Sequence, residues 1–402
     1  MDIENQRSYI RGLAEKLRVI ADSDDTADII KRWADVNALR KPDRAPVFCR
    51  PSDAWNELLP EDSLVCADRT LRRIEAGFKR TIIKHEIGDD TVVYPYYPVE
   101  AVFDVEPANV YGLGMSRTDA RVRGGAWAYE PELKDERDFF KLVIPRYTYN
   151  KTKTDERTAF IHELFGDILP PKICAAPVEY ATICSPAAGL RGLTQMMTDA
   201  ADNPEFLHRL MAYLRDAALA TMDQKLAAGV LTPNTIGEMY MSGELDPAPG
   251  EPITYKNCFG VGNSQEFDQI SPAMWEEFLL AYQKPIYARF GLAAYGCCEN
   301  LTKKIDGIMT IPNLRVFVSS AWTDLDTVVD KTGGKYTVMW RQKATDVCFA
   351  DDAADLIENL KKGCERLKGC CYQIVLRELQ TLNGNLNRLH EWAYLAKEAA
   401  CG

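Results

Sequence analysis

Three amphipathic stretches open the chain, and a regular alternation of helix and strand patterns closes it. Apolar residues recur at helical spacing over 6–22, where Ile10, Leu13, Leu17 and Ile20 share one face. They do so again over 25–40, with Ile29, Ile30, Trp33 and Val36. A short strand, Ala45–Cys49, and a turn at Pro51 follow. A third helix, from about Asp62 to His85, carries Leu71, Ile74, Phe78 and Ile82 on its stripe. Its other face holds Arg69, Arg72, Arg73, Lys79 and Arg80, which read first as a solvated face on an acidic protein. Thr91–Tyr96 and Val99–Val105 have strand character. Residues 107–135, with Gly112, Gly114, Gly124, Gly125 and Trp127, form a long irregular excursion. Loops of that length in compact domains are usually functional.

Beyond the excursion the pattern predicts helix 153–167 before strand 172–176, helix 203–228 before strand 234–241, and helix 272–290 before strand 291–296. Helix 300–310 then precedes strand 314–319, helix 324–332 precedes strand 335–340, and helix 351–368 precedes strand 371–377. Helix 386–400 ends the series. Such alternation requires a parallel sheet, because only a crossover helix returns the chain to the same edge. The number of units predicts an α/β fold, a (β/α)8 TIM barrel with an N-terminal helical addition. The expected division is 1–85 for the addition and 86–402 for the barrel. Local signals agree: Ser271-Pro272 opens a helix, Asp324 is placed to cap the helix after strand 314–319, and Gly333-Gly334 turns into the next strand.

Composition narrows the function classes. The 402 residues are 46% hydrophobic, enough for a large core, and the formal net charge is −11. That acidity argues against nucleic acid as a partner. No apolar run is long enough to cross a membrane, and the polar start Met1-Asp2-Ile3-Glu4-Asn5 is unlike a signal peptide, so a cytoplasmic location is expected. The 12 cysteines follow no regular framework. Two pairs, Cys297-Cys298 and Cys370-Cys371, are adjacent and would bridge only with strain, which favours free thiols in a reducing compartment. Cys174, Cys184, Cys348 and Cys364 read as small core residues.

The densest chemistry lies at Tyr295-Gly296-Cys297-Cys298-Glu299, where an apolar strand runs into a helix. In α/β folds this turn sits at the C-terminal end of the sheet, where ligands bind. Trp322, Asp324, Arg341, Lys343, Arg377, Glu378 and Gln380 occupy equivalent strand ends. Gln265 and Glu266 follow a Gly-x-Gly at Gly260-Val261-Gly262, and Glu238 and Tyr240 end the strand over 234–241. The Gly-x-Gly lacks both the preceding strand and the third glycine of a dinucleotide fingerprint. All four histidines (His85, His162, His208 and His390) fall in or near predicted helices, away from the strand ends. Acid–base work therefore falls to Glu, Asp, Tyr or Cys. Cys297, Cys298 and Glu299 are candidate ligands for a Zn²⁺ ion, which accepts thiolate and carboxylate.

From Ser264 to Lys397 the chain resembles the uroporphyrinogen decarboxylase-like superfamily, and within it the corrinoid-linked methyltransferases of anaerobes. The matching pieces are Ser264-Gln265-Glu266-Phe267, Ser271-Pro272, Phe290-Gly291-Leu292 and Tyr295-Gly296-Cys297-Cys298-Glu299. Ile311-Pro312-Asn313-Leu314-Arg315, Ala321-Trp322-Thr323-Asp324, Arg388-Leu389 and Trp392 continue the series. The resemblance implies a TIM barrel that moves a methyl group between a small methylated substrate, often an O-methyl ether, and the cobalt of a corrinoid (cobalamin) protein. It implies acid assistance at the leaving heteroatom, from Glu299, Glu266, Glu378 or Tyr240, or a zinc Lewis acid on Cys297, Cys298 and Glu299. Their places at or near the strand ends, apart from the resemblance, make Gln265, Glu238, Trp322, Asp324, Arg341 and Arg377 the expected substrate contacts.

The chain also departs from that group. Relatives that methylate thiols bind zinc through His-x-Cys where Tyr295-Gly296-Cys297 stands here. Ala294 occupies a position where a histidine is common, and Arg377-Glu378 and Arg341-Gln342 replace Lys-Asp and Lys-Pro. Three readings compete: a methyltransferase acting with a separate corrinoid protein, a decarboxylase or other lyase on the same barrel, and a binding protein without catalysis. The barrel and its addition fill the chain, so the corrinoid is expected on a partner. The methyl donor, the metal and the oligomeric state, a homodimer included, stay open.

Overall fold

The computed structural model describes residues 2–118, 127–177 and 180–401. Gly124 and Gly125 of the predicted excursion lie outside them. The strands, numbered along the chain, begin with β1 (Val47–Cys49), β2 (Tyr97–Glu100), β3 (Phe103–Glu106), β4 (Met115–Arg117), β5 (Tyr129–Pro131) and β6 (Arg146–Tyr149). They continue with β7 (Pro171–Cys174), β8 (Phe259–Gly262), β9 (Leu292–Tyr295), β10 (Leu314–Ser319), β11 (Thr337–Gln342) and β12 (Cys371–Leu376).

The main sheet has six parallel strands in the order β1-β12-β11-β10-β9-β8. Its central strands are near-continuous apolar runs, as burial on both faces demands, and every residue of β11 is buried. Alternate residues Phe48, Phe259, Ala294, Val316, Val318, Met339 and Val375 form one cluster on the inner face, joined by Trp33 and Val36. β2 and β7 make a separate parallel pair.

Among the described residues, regular ladders do not close the sheet into a barrel. Its two edges are met largely by side chains instead, with one backbone bond on β1, from Asp90 N to Val47 O at 2.8 Å. Asp90 and Asp89 accept from the backbone N–H groups of Val47 (2.7 Å) and Cys49 (2.8 Å) along β1. On the other edge, Asn234 both accepts from Phe259 N (2.8 Å) and donates to Phe259 O (2.9 Å). The strand predicted over 234–241 is absent for this reason: the Asn234 amide takes the place of a backbone partner. Met239 has φ +69°, and its carbonyl accepts from Asn37 and Gln373, so the segment turns against the inner face.

The helical start also differs from expectation. Ile3–Ala21 packs its predicted face against the helix Arg69–Ile87 and the helix Lys151–Phe165. The third helix begins at Arg69, not Asp62, because Asp68 caps it by accepting from Thr70 N and Leu71 N, each at 2.9 Å. Its basic face is partly engaged: Arg72 donates to the carbonyls of Leu64 and Cys66, and Arg80 stacks 5.5 Å from the Trp55 ring. β1 lies inside the expected addition yet pairs with β12, so residues 1–85 include one strand of the sheet. No helix among the described residues is long and apolar enough to cross a membrane.

Candidate active site

β9 delivers Tyr295 to the C-terminal end of the sheet, and Gly296 turns the chain there with φ +117°. A Cβ at Gly296 would lie 2.8 Å from Leu301 Cδ1 and 3.0 Å from Val318 O, so the turn needs glycine twice over, for its dihedral and for its space. Glu299 then locks the turn. Its Oε2 accepts from Cys297 N (2.9 Å), and its Oε1 accepts from Ser264 N (2.7 Å) and Ser264 Oγ (3.1 Å). With both oxygens engaged and only 2% exposure, Glu299 positions the loop and does not face the thiols.

The two sulfurs project from the other side of the turn. Cys297 Sγ and Cys298 Sγ are 3.4 Å apart, and Cys298 Sγ donates toward Glu378 Oε1 at 3.2 Å. Arg341, from β11, is 1% exposed. Its Nη1 donates to Cys297 O at 2.7 Å and to Glu378 Oε1 at 3.3 Å, and lies 3.7 and 3.9 Å from the sulfurs of Cys297 and Cys298. Glu378 reaches the group from the end of β12 with φ +60°, an uncommon conformation for a residue with a side chain.

The electrostatics split the thiol pair. The Cys298 hydrogen bond, helped by the charges of Arg341 and Arg377, pulls Cys297 down from 9.0 to about 6 against the opposing effect of burial. Cys298 moves up, driven first by its hydrogen bond to Cys297, then by burial and by the charges of Cys297 and Glu378. The pair is thus a thiolate beside a thiol that holds its proton, with a carboxylate in reach of that proton. A cavity of about 340 Å³ opens over Cys298 and Glu378, bounded by Trp322, Lys343, Phe349 and Gln380. Trp322 is 60% exposed and carries Lys343 Nζ 5.6 Å from its ring.

The expected residues therefore separate. Cys297, Cys298, Arg341 and Glu378 meet, Trp322 lines the same cavity, and Arg377 acts on Cys297 and Arg341 through its charge. Tyr240 does not line that cavity; its ring lies 5.7 Å from Phe259 and its oxygen is within electrostatic reach of Arg341 and Arg377. Asp324 is a helix cap that accepts from Thr327 N at 2.8 Å. Gln265 is exposed. Glu266 accepts from the Ser185 hydroxyl at 2.5 Å and keeps a buried, unbonded Oε2. Ser185 lines another cavity, of about 570 Å³, beneath the β4–β5 hairpin. Of the described residues of the predicted excursion, Val110, Tyr111, Met115, Arg117 and Tyr129 line that cavity, and none lines the one at the thiols. Glu238 belongs to a third cavity with Tyr94 and Tyr96, where it accepts from Val92 N at 2.8 Å and burial raises its pKa.

Among the described residues, no three His, Cys, Asp or Glu side chains are arranged to hold a metal ion. The expected zinc set of Cys297, Cys298 and Glu299 is divided by the Glu299 hydrogen bonds, and the Arg341 cation already lies against both sulfurs. As arranged, these residues do not fit zinc. Sequence reasoning missed the part of Ser264 in holding Glu299, and the place of Phe349 at the cavity. It also passed over Arg50, which follows β1 as Arg377 follows β12, a position that the strand pattern alone could have flagged.

No family model matches the chain, and no curated protein sequence matches it. Among solved structures, a methyltransferase from Methanosarcina mazei is similar over 92% of this chain and 98% of that chain, with a TM-score of 0.51 and 10% sequence identity. At that identity the likeness concerns the fold.

Proposed function

We propose that this chain is a methyltransferase that moves a methyl group from a small O-methyl compound to the cobalt of a corrinoid carried by a separate protein. Three things support the reading: the sequence resemblance, a fold shared with a protein described as a methyltransferase, and the site itself. The carrying observation is a proton-holding thiol, Cys298, between the Cys297 sulfur and Glu378 at the floor of an open cavity. Demethylating an ether leaves an alkoxide or phenoxide, and its oxygen must be protonated or neutralised as the C–O bond breaks.

A reduced corrinoid, when bound, supplies the methyl acceptor. The chain's own residues then hold the donor and manage the proton. Cys298 gives its proton to the departing oxygen, and Glu378, partly exposed, returns one from solvent. Arg341 keeps the negative charge of Cys297 and Glu378 tolerable throughout. Exposed Trp322 and Phe349 form an apolar rim through which the corrinoid approaches. The scheme needs no zinc.

Free cob(I)alamin mixed with the purified chain and methoxylated donors tests this, with methylation followed by absorbance. Donor-dependent methylation is expected, falling about a hundredfold in Cys298→Ala, the usual scale for loss of a general acid. No methylation with any donor, beside release of carbon dioxide from a carboxylated one, would replace this reading with the lyase.

A further inference from the structure

Three arginines lie at the C-terminal ends of neighbouring strands, close enough for the charges of Arg341 and Arg50 to act on Arg377. Arg341 lies two residues beyond Met339 on β11, Arg377 two beyond Val375 on β12, and Arg50 two beyond Phe48 on β1. Met339, Val375 and Phe48 all belong to the inner-face cluster, so the two-residue period of a strand carries the three arginines to the same side. The register sets them close: Arg341 is level with Val375, and Arg50 N donates to Leu376 O at 2.8 Å.

Their charges are not matched locally. Glu378 and the Cys297 thiolate face three cations. Among the described residues the side chains of Arg377 and Arg50 make no hydrogen bond or ion pair, and Arg341 Nε is buried with no partner at all. Burial, then the charges of Arg341 and Arg50, destabilise the Arg377 cation. The whole chain has 59 acidic residues against 48 basic ones, yet among the described residues Glu378 is the one carboxylate paired with any of these three arginines. Arg341 and Arg377 are desolvated cations, with Arg50 adding its charge from the exposed side; such a group is costly unless an anion joins it, and a guanidinium fork matches a carboxylate in shape and charge.

We infer that Arg50, Arg341 and Arg377 hold the carboxylate of the substrate, so that the donor is a small O-methyl compound that is also a carboxylic acid. The anion site stands on the arginines alone; naming its occupant a methyl donor rests on the methyl-transfer reading above. The carboxylate anchors at the end of β12 and β1, and the ether oxygen falls toward Cys298 across Arg341.

Calorimetric binding of paired probes tests it: methoxyacetate against methoxyacetamide, and para-methoxybenzoate against its amide. At least one acid is expected to bind about tenfold or more tighter than its amide, the scale of a charge-assisted hydrogen bond. That preference is expected to vanish in Arg377→Gln and in Arg50→Gln, whose partly exposed positions leave the melting temperature unchanged. Equal binding of acid and amide in every pair would overturn the inference, as would a preference that survives both substitutions. The two readings fail separately. Acid preference without cobalamin methylation leaves the anion site and removes methyl transfer; methylation from uncharged donors with no acid preference does the reverse.

Discussion

At Cys297, burial works against the thiolate and loses. The Cys298 thiol, Arg341 and Arg377 all favour the charged form, which brings the pKa to about 6. The thiolate is therefore expected to titrate near pH 6 by ultraviolet absorbance in the native chain, and to move up in Arg341→Gln. The linkage follows in sign. The unfolded thiol keeps its proton up to about 9.0, whereas the folded one releases it near 6. Between those values the unfolded state binds more protons, so stability rises with pH. The contribution is fully present above 9.0 and is lost as pH falls through 6. A native thiolate titration near 9.0 would remove the charge pattern argued for the pair. Glu299 shows the opposite lesson at this scale. It is the most chemical-looking residue of its motif, yet its oxygens are spent on Ser264 and Cys297 backbone groups.

The β9 strand and the turn after it act as one unit, since the sulfurs are aimed by Gly296 and held by Glu299. Gly296→Ala forces a side chain into φ +117° and within 3.0 Å of Leu301 and Val318. The expected cost is about 1–3 kcal/mol of stability. Thiol alkylation should also lose its distinction between a reactive Cys297 and an inert Cys298, because the turn that separates them has shifted. Unchanged denaturant stability and unchanged alkylation would show that the turn tolerates a Cβ. The period of a strand does the rest of the positioning. Residues two beyond an inner-face apolar residue also face inward, which is how β11 and β12 present Arg341 and Arg377.

Across the molecule, a buried carboxylate is one of the ties between the N-terminal helices and the sheet, beside the bonds of Val36 and Asn37 to Thr337 and Gln373. Asp90, fully buried, accepts from Arg32 (2.9 Å), from Arg44 (2.7 and 2.8 Å) and from Val47 N on the β1 edge (2.7 Å). Asp90→Ala takes from Arg44 its ion-pair partner, leaves Arg32 with Asp43 alone, and strips Val47 N on the β1 edge of its acceptor. A loss of about 3–5 kcal/mol in chemical denaturation is expected, the scale for breaking a buried ion pair. A loss below about 1 kcal/mol, the value of an exposed pair, would mean that the network is surface-like. Trp33 of the second helix and Cys49 of β1 also bond to the Asp89-Asp90 corner, so hydrogen bonds run across residue 85.

The sequence by itself determined the parallel α/β layout from the alternation of helix and strand patterns. It also determined which faces of the first helices are buried and where the sulfur-bearing turn lies. Those features follow from local spacing, which every segment carries within itself. The tertiary structure decided what side chains do once segments meet. Only a partner 35 residues away in sequence, Ser264, turns the Glu299 carboxylate off the thiols. Only the Asn234 amide against Phe259 replaces a predicted strand and withdraws Glu238 to another cavity. And only the pairing of β1 with β12 brings Arg50 beside Arg377, because distant strands acquire a common register only when the sheet forms.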